Sequence, residues 1–343
     1  MPVDRDIRLL VKARAPSATG FALSDAHLSM LGAMRAAVVP LMPAINAGLA
    51  SELGIAGGAG VAAQWYEVQL GDTTLSPWDA AHRLRAQDLG LAAQVDFVEP
   101  DIRQNWLWQR DEVPPALALS QNDPVSVPQD SRFPRETDDD WYRDAAHSGF
   151  LDALAWLDGV PTERRRRVRV AQLDTGYDPG HQALPAGIDR TLARNFVAGE
   201  DLHDASDQVD GPLTNRGHGT GTLGILAGRD PADPTRTIGG APFVDIVPIR
   251  VADRVVLFSN SAIARALDYV FSLKDDPEKR IDIVTMSMGG LPSQAWADAV
   301  NALYDAGIFV VTAAGNNYGN APTRNIVFPA RFNRVVAACG VMA

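Results

Sequence analysis

Three short segments carry residue types that can do chemistry together. The first is Asp174-Thr175-Gly176, where the β-branched run 168–173 ends in a carboxylate. A carboxylate at the carboxyl end of a strand is well placed for a site, although Asp close to Gly also makes an ordinary turn. The second is Gly217-His218-Gly219-Thr220, an imidazole at the start of a helical pattern, between glycines that let other backbone approach. Histidine can serve as a general base near neutral pH. A buried carboxylate on one ring nitrogen fixes its tautomer and stabilises the cation that forms. A lone histidine is nonetheless more often structural than catalytic. The third is Thr312-Ala313-Ala314-Gly315-Asn316, where a strand ends in an amide able to donate a hydrogen bond to a developing oxyanion.

The elements that must position these residues follow from the apolar pattern. Beyond Gly149, nearly continuous apolar runs at 168–173, 243–251, 281–286, 308–312 and 334–339 suit strands covered on both faces. Helical patterns lie between them at 218–227, 259–273 and 293–306. Strands alternating with helices imply an α/β fold, a mostly parallel sheet in three layers, with functional groups gathered at the carboxyl ends of its strands.

The first hundred residues read differently. Strand patterns at 6–13, 38–42, 65–70 and 95–99 enclose two helices. One is expected at 23–37 with Ser24 or Asp25 as N-cap, and one from Ser76-Pro77 to about Gln87. The order β-α-β-β-α-β is that of a small ferredoxin-like α+β domain. The Gly/Ala-rich stretch 54–60 reads as a turn or loop, and its GIAGGAG string is too loose for a dinucleotide fingerprint. From 102 to 147 the composition turns to Pro, Asp, Gln and Ser, as in a linker or extended segment. Its run Asp138, Asp139, Asp140 could bind calcium, but such acidic runs are usually only solvated. The division expected is therefore 1–101, 102–147 and 148–343.

Composition excludes several classes. The chain has 343 residues, 46% hydrophobic and 21% charged, a globular balance. A net charge of −11 argues against nucleic-acid or anionic-membrane binding, which needs clustered Lys and Arg. Cys339 is the one cysteine, so no internal disulfide framework exists. The start MPVDRDIRLL lacks the basic-then-apolar order of a signal peptide, which weighs toward the cytoplasm. The longest uncharged apolar stretch, near 36–51 and holding Pro40 and Pro43, is too short to span a bilayer, so no membrane span is expected. No phosphate loop of the GxxxxGK[ST] type occurs, and His181, His203 and His218 lack zinc-site spacing.

Taken in order, five strings resemble the subtilisin-like serine peptidases, the subtilases: VAQLDTGYDPGHQAL (170–184), HGTGTLGILAG (218–228), GGAPFVDIVPIRV (239–251), IVTMSMGG (283–290) and FVVTAAGNN (309–317). The resemblance runs from about Val168 onward. It implies Asp174 as the orienting carboxylate, His218 as the general base and Asn316 as the oxyanion donor. It also implies that Ser287, Met288 and Gly289 form an edge where extended peptide pairs by backbone hydrogen bonds. No cofactor is implied, a structural calcium is compatible with the family, and the metal ligands stay unassigned. The N-terminal domain resembles the family's inhibitory propeptide, with RLRAQDLGLAAQVDFVEPD (83–101) as its last helix and strand. That would make it an intramolecular partner of the peptidase part.

One departure dominates. The family's nucleophile sits in a Gly-Thr-Ser-x-Ala motif roughly sixty residues after the oxyanion Asn, and no Gly-Thr-Ser occurs in this chain. The expectation is a serine endopeptidase of zymogen type whose Ser lies beyond these residues, leaving this chain inactive. The alternative is a pseudoprotease that binds extended peptides without cutting. Ser287 is a poor substitute nucleophile, because its string is that of the substrate-binding strand. Smaller departures are Gly221, where many members have a second His, and Leu223, where they have Ala. The run of four arginines at 164–167 reads as a basic surface face rather than a processing site.

Overall fold

Alternation along the first strand decides how the N-terminal sheet is sandwiched. In the computed structural model, β1 (Ile7–Arg14) turns Leu9, Val11 and Ala13 to one side and Leu10 to the other. The structure describes residues 6–14, 21–52, 63–86, 90–91, 94–102, 141–207, 217–233, 235–254, 257–315 and 326–339. The Gly-rich stretch 54–60 and the acidic triplet 138–140 lie outside them.

After β1 come α1 (Asp25–Met30), β2 (Arg35–Pro40), α2 (Pro43–Glu52), β3 (Ala63–Gly71), α3 (Pro77–Arg85) and β4 (Val95–Pro100). The four strands form an antiparallel sheet in the order β2-β3-β1-β4. Leu9, Val11, Val68 and Leu70 bury one face of the sheet together with Leu31, Ala80 and Leu84, from the end of α1 and from α3. Ser24 caps α1 by accepting from the His27 amide, and Ser76 caps α3 with Pro77 at its first turn.

Two expectations are corrected here. The helix expected over 23–37 ends at Met30, because the chain turns at Gly32 with φ +59° and residues 35–37 pair with β3 instead. The strand expected at 38–42 is the second half of β2. Helix α2 has no counterpart in the sequence reading. Its sequence PAINAGLASE, whose one charged residue is the terminal Glu52, lacks a polar face, and Asp268, more than 200 residues away, accepts from the Ile45 amide at 2.8 Å and the Ala44 amide at 3.3 Å.

The second half continues with α4 (Phe150–Asp158), β5 (Arg169–Asp174), β6 (Arg194–Asn195), α5 (His218–Ala227), β7 (Asp245–Arg250), the short pair β8 (Ala252–Arg254) and β9 (Leu257–Phe258), and α6 (Asn260–Ser272). It ends with β10 (Ile283–Met286), α7 (Gln294–Asp305), β11 (Phe309–Ala313) and β12 (Val336–Ala338). Six parallel strands make one sheet in the order β12-β11-β10-β5-β7-β6. Val170 and Ile246 face Leu223 and Ala227 of α5 on one side. Ala171, Leu173, Val247 and Ile249 face α6 and α7 on the other. This is the three-layer α/β arrangement expected. The sequence reading did not find α4, whose N-cap is Gly149 in a left-handed conformation with no side-chain cap.

The two sheets share one core. Leu10, Leu41, Met42, Ile45 and Trp65 pack with Ala264, Phe271 and Trp296 of the second half. A side chain at Gly48 would meet the Phe271 ring at 2.8 Å, so glycine lets α2 lie directly on α6. Polar contacts frame this apolar seam. Asp298 accepts from Lys12 Nζ at 2.7 Å and from Trp65 Nε1 at 2.9 Å. Asp101 accepts from the Ser261 amide and hydroxyl at the start of α6. Glu99 accepts from Ser293 Oγ and the Gln294 and Ala295 amides at the start of α7. Carboxylates at helix N-termini satisfy orphan amides and face the positive end of the helix dipole. Burial nonetheless pushes Glu99, Asp101 and Asp268 above the ordinary carboxyl value, with these hydrogen bonds pulling the other way.

Candidate active site

Asp174 ends β5 in the middle of the parallel sheet, where β7 and β10 flank it. It is 0% exposed. A carboxylate so deeply buried must be hydrogen-bonded, and its partners are in place. Oδ1 accepts from the Thr175 amide at 2.7 Å, and Oδ2 accepts from the Thr222 hydroxyl at 3.0 Å. The remaining partner is His218, whose Nδ1 lies 2.7 Å from Asp174 Oδ1. An ionised carboxylate only accepts, so Nδ1 carries the proton and Nε2 is the nitrogen left to exchange one.

His218 is the first residue of α5, and its side chain is 28% exposed. The glycines around it are required by space and backbone. Gly217 takes φ +85° as N-cap. A Cβ on Gly219 would fall 1.9 Å from the Gly176 carbonyl oxygen, so only glycine allows the first turn of α5 to close on the end of β5. A buried ionic cluster pins the same junction. Arg250, 0% exposed at the end of β7, donates to the Thr175 carbonyl, Asp207 and Glu200. Asp207 in turn accepts from the Gly217 amide at 2.8 Å and Thr175 Oγ1 at 3.2 Å. The residue after Asp174 and the residue before His218 are thus tied to one carboxylate.

Of the six candidate site residues, the structure brings Asp174 and His218 into direct contact. Ser287, Met288 and Gly289 follow β10, the neighbour of β5, and so leave the sheet at the same carboxyl edge. Met288 is buried in the core, and a Cβ at Gly289 would lie 2.3 Å from Val327 Cγ2. Gly290 pairs with Phe328 just beyond. Asn316 lies outside the described residues. The residue before it, Gly315, has φ +101° and packs on the same Val327.

The two smaller departures separate in space. Leu223 is buried behind the site among Val170, Tyr177 and Ile246, whereas a Cβ at Gly221 would meet nothing within 4 Å. Gly221 lines an open groove of about 360 Å³ with Asp178, His181, Asp207, Gly217 and Ile225. Among the described residues no group of three or more His, Cys, Asp or Glu is placed to hold a metal ion. No calcium ligands can therefore be named there. In the arginine run, Arg165 donates to the Val160 carbonyl, Arg166 pairs with Asp282 and Arg167 with Asp245.

Residues 165–342 match the model of the subtilase family, peptidase S8. The chain belongs to the subtilase family. Among its relatives is subtilisin DY of Bacillus licheniformis, 31% identical over 175 residues, 51% of this chain and 56% of that protein. The major intracellular serine protease of Bacillus subtilis (strain 168) is 27% identical over 190 residues, 54% of each chain. This subtilase chain thus spans about half the length of the curated relatives it matches. The solved structure of fervidolysin from Fervidobacterium pennivorans aligns with 97% of this chain and 42% of its own, at 17% identity and a TM-score of 0.56, a likeness of fold.

Four residues of this junction were not found by sequence reasoning: Gln172, Asp207, Thr222 and Arg250. Gln172 carried a signal, a polar side chain inside the apolar run VAQLD. Arg250 carried the same kind of signal, a charged side chain inside the apolar run DIVPIRV, whereas Thr222 and Asp207 carried none, because their roles depend on which loops and strand ends meet.

Proposed function

We propose that this chain supplies the acid–base half of a subtilase active site, for hydrolysis of peptide bonds as a serine endopeptidase. The observation that carries the reading is the 2.7 Å contact between Asp174 Oδ1 and His218 Nδ1, with Asp174 fully buried. In this reading Asp174 holds the imidazole in the Nδ1–H tautomer. His218 Nε2 takes the proton of an attacking serine hydroxyl and then gives it to the leaving amine. Asn316 donates to the oxyanion. Ser287-Met288-Gly289 offers backbone to an extended peptide or protein substrate. No cofactor takes part, and a calcium ion, if bound, is structural.

The serine nucleophile is proposed to lie outside these 343 residues, which contain no Gly-Thr-Ser. On this reading the chain alone forms no acyl-enzyme, and residues 1–101 act as a propeptide-like inhibitor or chaperone. The shared core and the helix caps supplied by Glu99 and Asp101 support that role. Two relatives are named intracellular serine proteases, which supports a cytoplasmic setting. The missing Gly-Thr-Ser equally favours a second reading, a pseudoprotease that holds peptides at the Ser287 edge.

The reading frame beyond Ala343 and a peptidase assay decide between them. A downstream Gly-Thr-Ser and peptidase activity in the longer protein are expected, with His218→Ala lowering kcat on the order of 10⁶-fold, as when a subtilisin loses its general base. A stop codon after Ala343, together with peptide binding to the 343-residue chain, would select the pseudoprotease. Labelling of the 343-residue chain by a fluorophosphonate at one specific serine would overturn the proposed split of the site.

A further inference from the structure

Val170 on β5 points to α5, whereas Ala171 and Leu173 point to α6 and α7. Strand alternation therefore sends the Gln172 side chain to the α5 side, among apolar neighbours. An amide buried there needs partners. Its Nε2 donates to the Gly219 carbonyl at 3.0 Å and to the Thr222 hydroxyl oxygen. Thr222 stands one helical turn after His218, so both side chains face the end of β5.

The Thr222 hydroxyl has one proton and two acceptors in reach, Asp174 Oδ2 at 3.0 Å and the Gly219 carbonyl at 3.1 Å. Gln172 resolves the choice. It already donates to the Gly219 carbonyl and fills a lone pair of the hydroxyl, and the carboxylate is the stronger acceptor for the remaining proton. We propose that Gln172 and Thr222 are positioning residues for the dyad: a one-way chain of donors in which Gln172 sets the Thr222 hydroxyl and Thr222 anchors Asp174 Oδ2. With Oδ1 held by Thr175 and Oδ2 by Thr222, the carboxylate plane is fixed and Oδ1 stays aligned with His218 Nδ1. This inference rests on the reading of Asp174 and His218 given above.

The test uses the 343-residue chain, ¹⁵N-labelled at histidine, and follows the low-field Nδ1–H resonance of His218. Six histidines are present, and the signal is assigned by its loss in His218→Ala and Asp174→Ala. Thr222→Val is expected to broaden or abolish it, with proton exchange roughly tenfold faster or more, since a bond to a charged group is lost. Thr222→Ser, which keeps the hydroxyl, is expected to retain it. Gln172→Leu is expected to weaken it in the same direction. Circular dichroism confirms folding, and if Thr222→Val does not fold, the serine and leucine variants carry the comparison. A folded Thr222→Val chain with the wild-type resonance would overturn the inference, as would loss of the signal in Thr222→Ser. Absence of any Asp174-dependent signal in the wild-type chain would instead remove the dyad reading beneath it.

Discussion

Gly219 and Gly224 occupy one helix and should answer the same substitution with opposite signs. A methyl at Gly219 would overlap the Gly176 carbonyl oxygen, whereas one at Gly224 meets nothing within 4 Å. Gly219→Ala is therefore expected to lower the unfolding free energy by about 3 kcal/mol, the upper part of the range for overpacking. Gly224→Ala should raise it by about 0.5–1 kcal/mol, because alanine loses less backbone entropy in a helix. Urea unfolding of the 343-residue chain checks both, and equal effects would mean that the closure of α5 onto β5 tolerates a side chain. Asp174 and His218 were legible in the sequence because each is anchored by its own element, one ending a strand and one starting a helix. Thr222 was not, since its value depends on the register between α5 and β5. Asn316, expected as the oxyanion donor, lies outside the described residues.

At the scale of elements, the seam between the two sheets gives a pH dependence whose sign follows from burial. Glu99, Asp101 and Asp268 have carboxyls raised above their ordinary values in the folded chain, chiefly by desolvation. The folded state thus binds their protons more readily than the unfolded state. Their contribution is fullest below the unfolded values and is lost as pH rises through the folded ones. The contribution of these groups to stability should increase as pH falls toward the ordinary carboxyl range, and that gain should shrink in Glu99→Gln/Asp101→Asn/Asp268→Asn, measured by urea midpoints at a series of pH values. A triple variant that keeps the full gain would place its origin in other groups. Helices α5, α6 and α7 were legible because their caps or flanking glycines sit in the adjacent sequence, as Ser259 and Ser293 do. Helix α2 was hidden because both its cap, Asp268, and its packing partner, Phe271, come from the distant half of the chain.

For the whole molecule, the decisive property is that one apolar cluster contains residues from both halves of the sequence. Leu10 and Trp65 are buried against α6 and α7, and Lys12, Glu67, Glu99 and Asp101 all bond across the same seam. A linker is then not needed to keep the halves together. With a specific protease site inserted within residues 103–140, cleavage should leave a nicked complex that elutes as one species in size-exclusion chromatography. Leu10→Asp should separate the halves after cleavage, because it places a charge against an apolar core with no partner to offset its desolvation. Arg265→Ala should not, because the Arg265–Glu67 ion pair is partly exposed and pairs of that kind contribute about 1 kcal/mol or less. If the nicked wild-type halves separate unaided, the apolar seam is too weak to act without the covalent link, and the inhibitor role proposed for residues 1–101 would have to end at that cut.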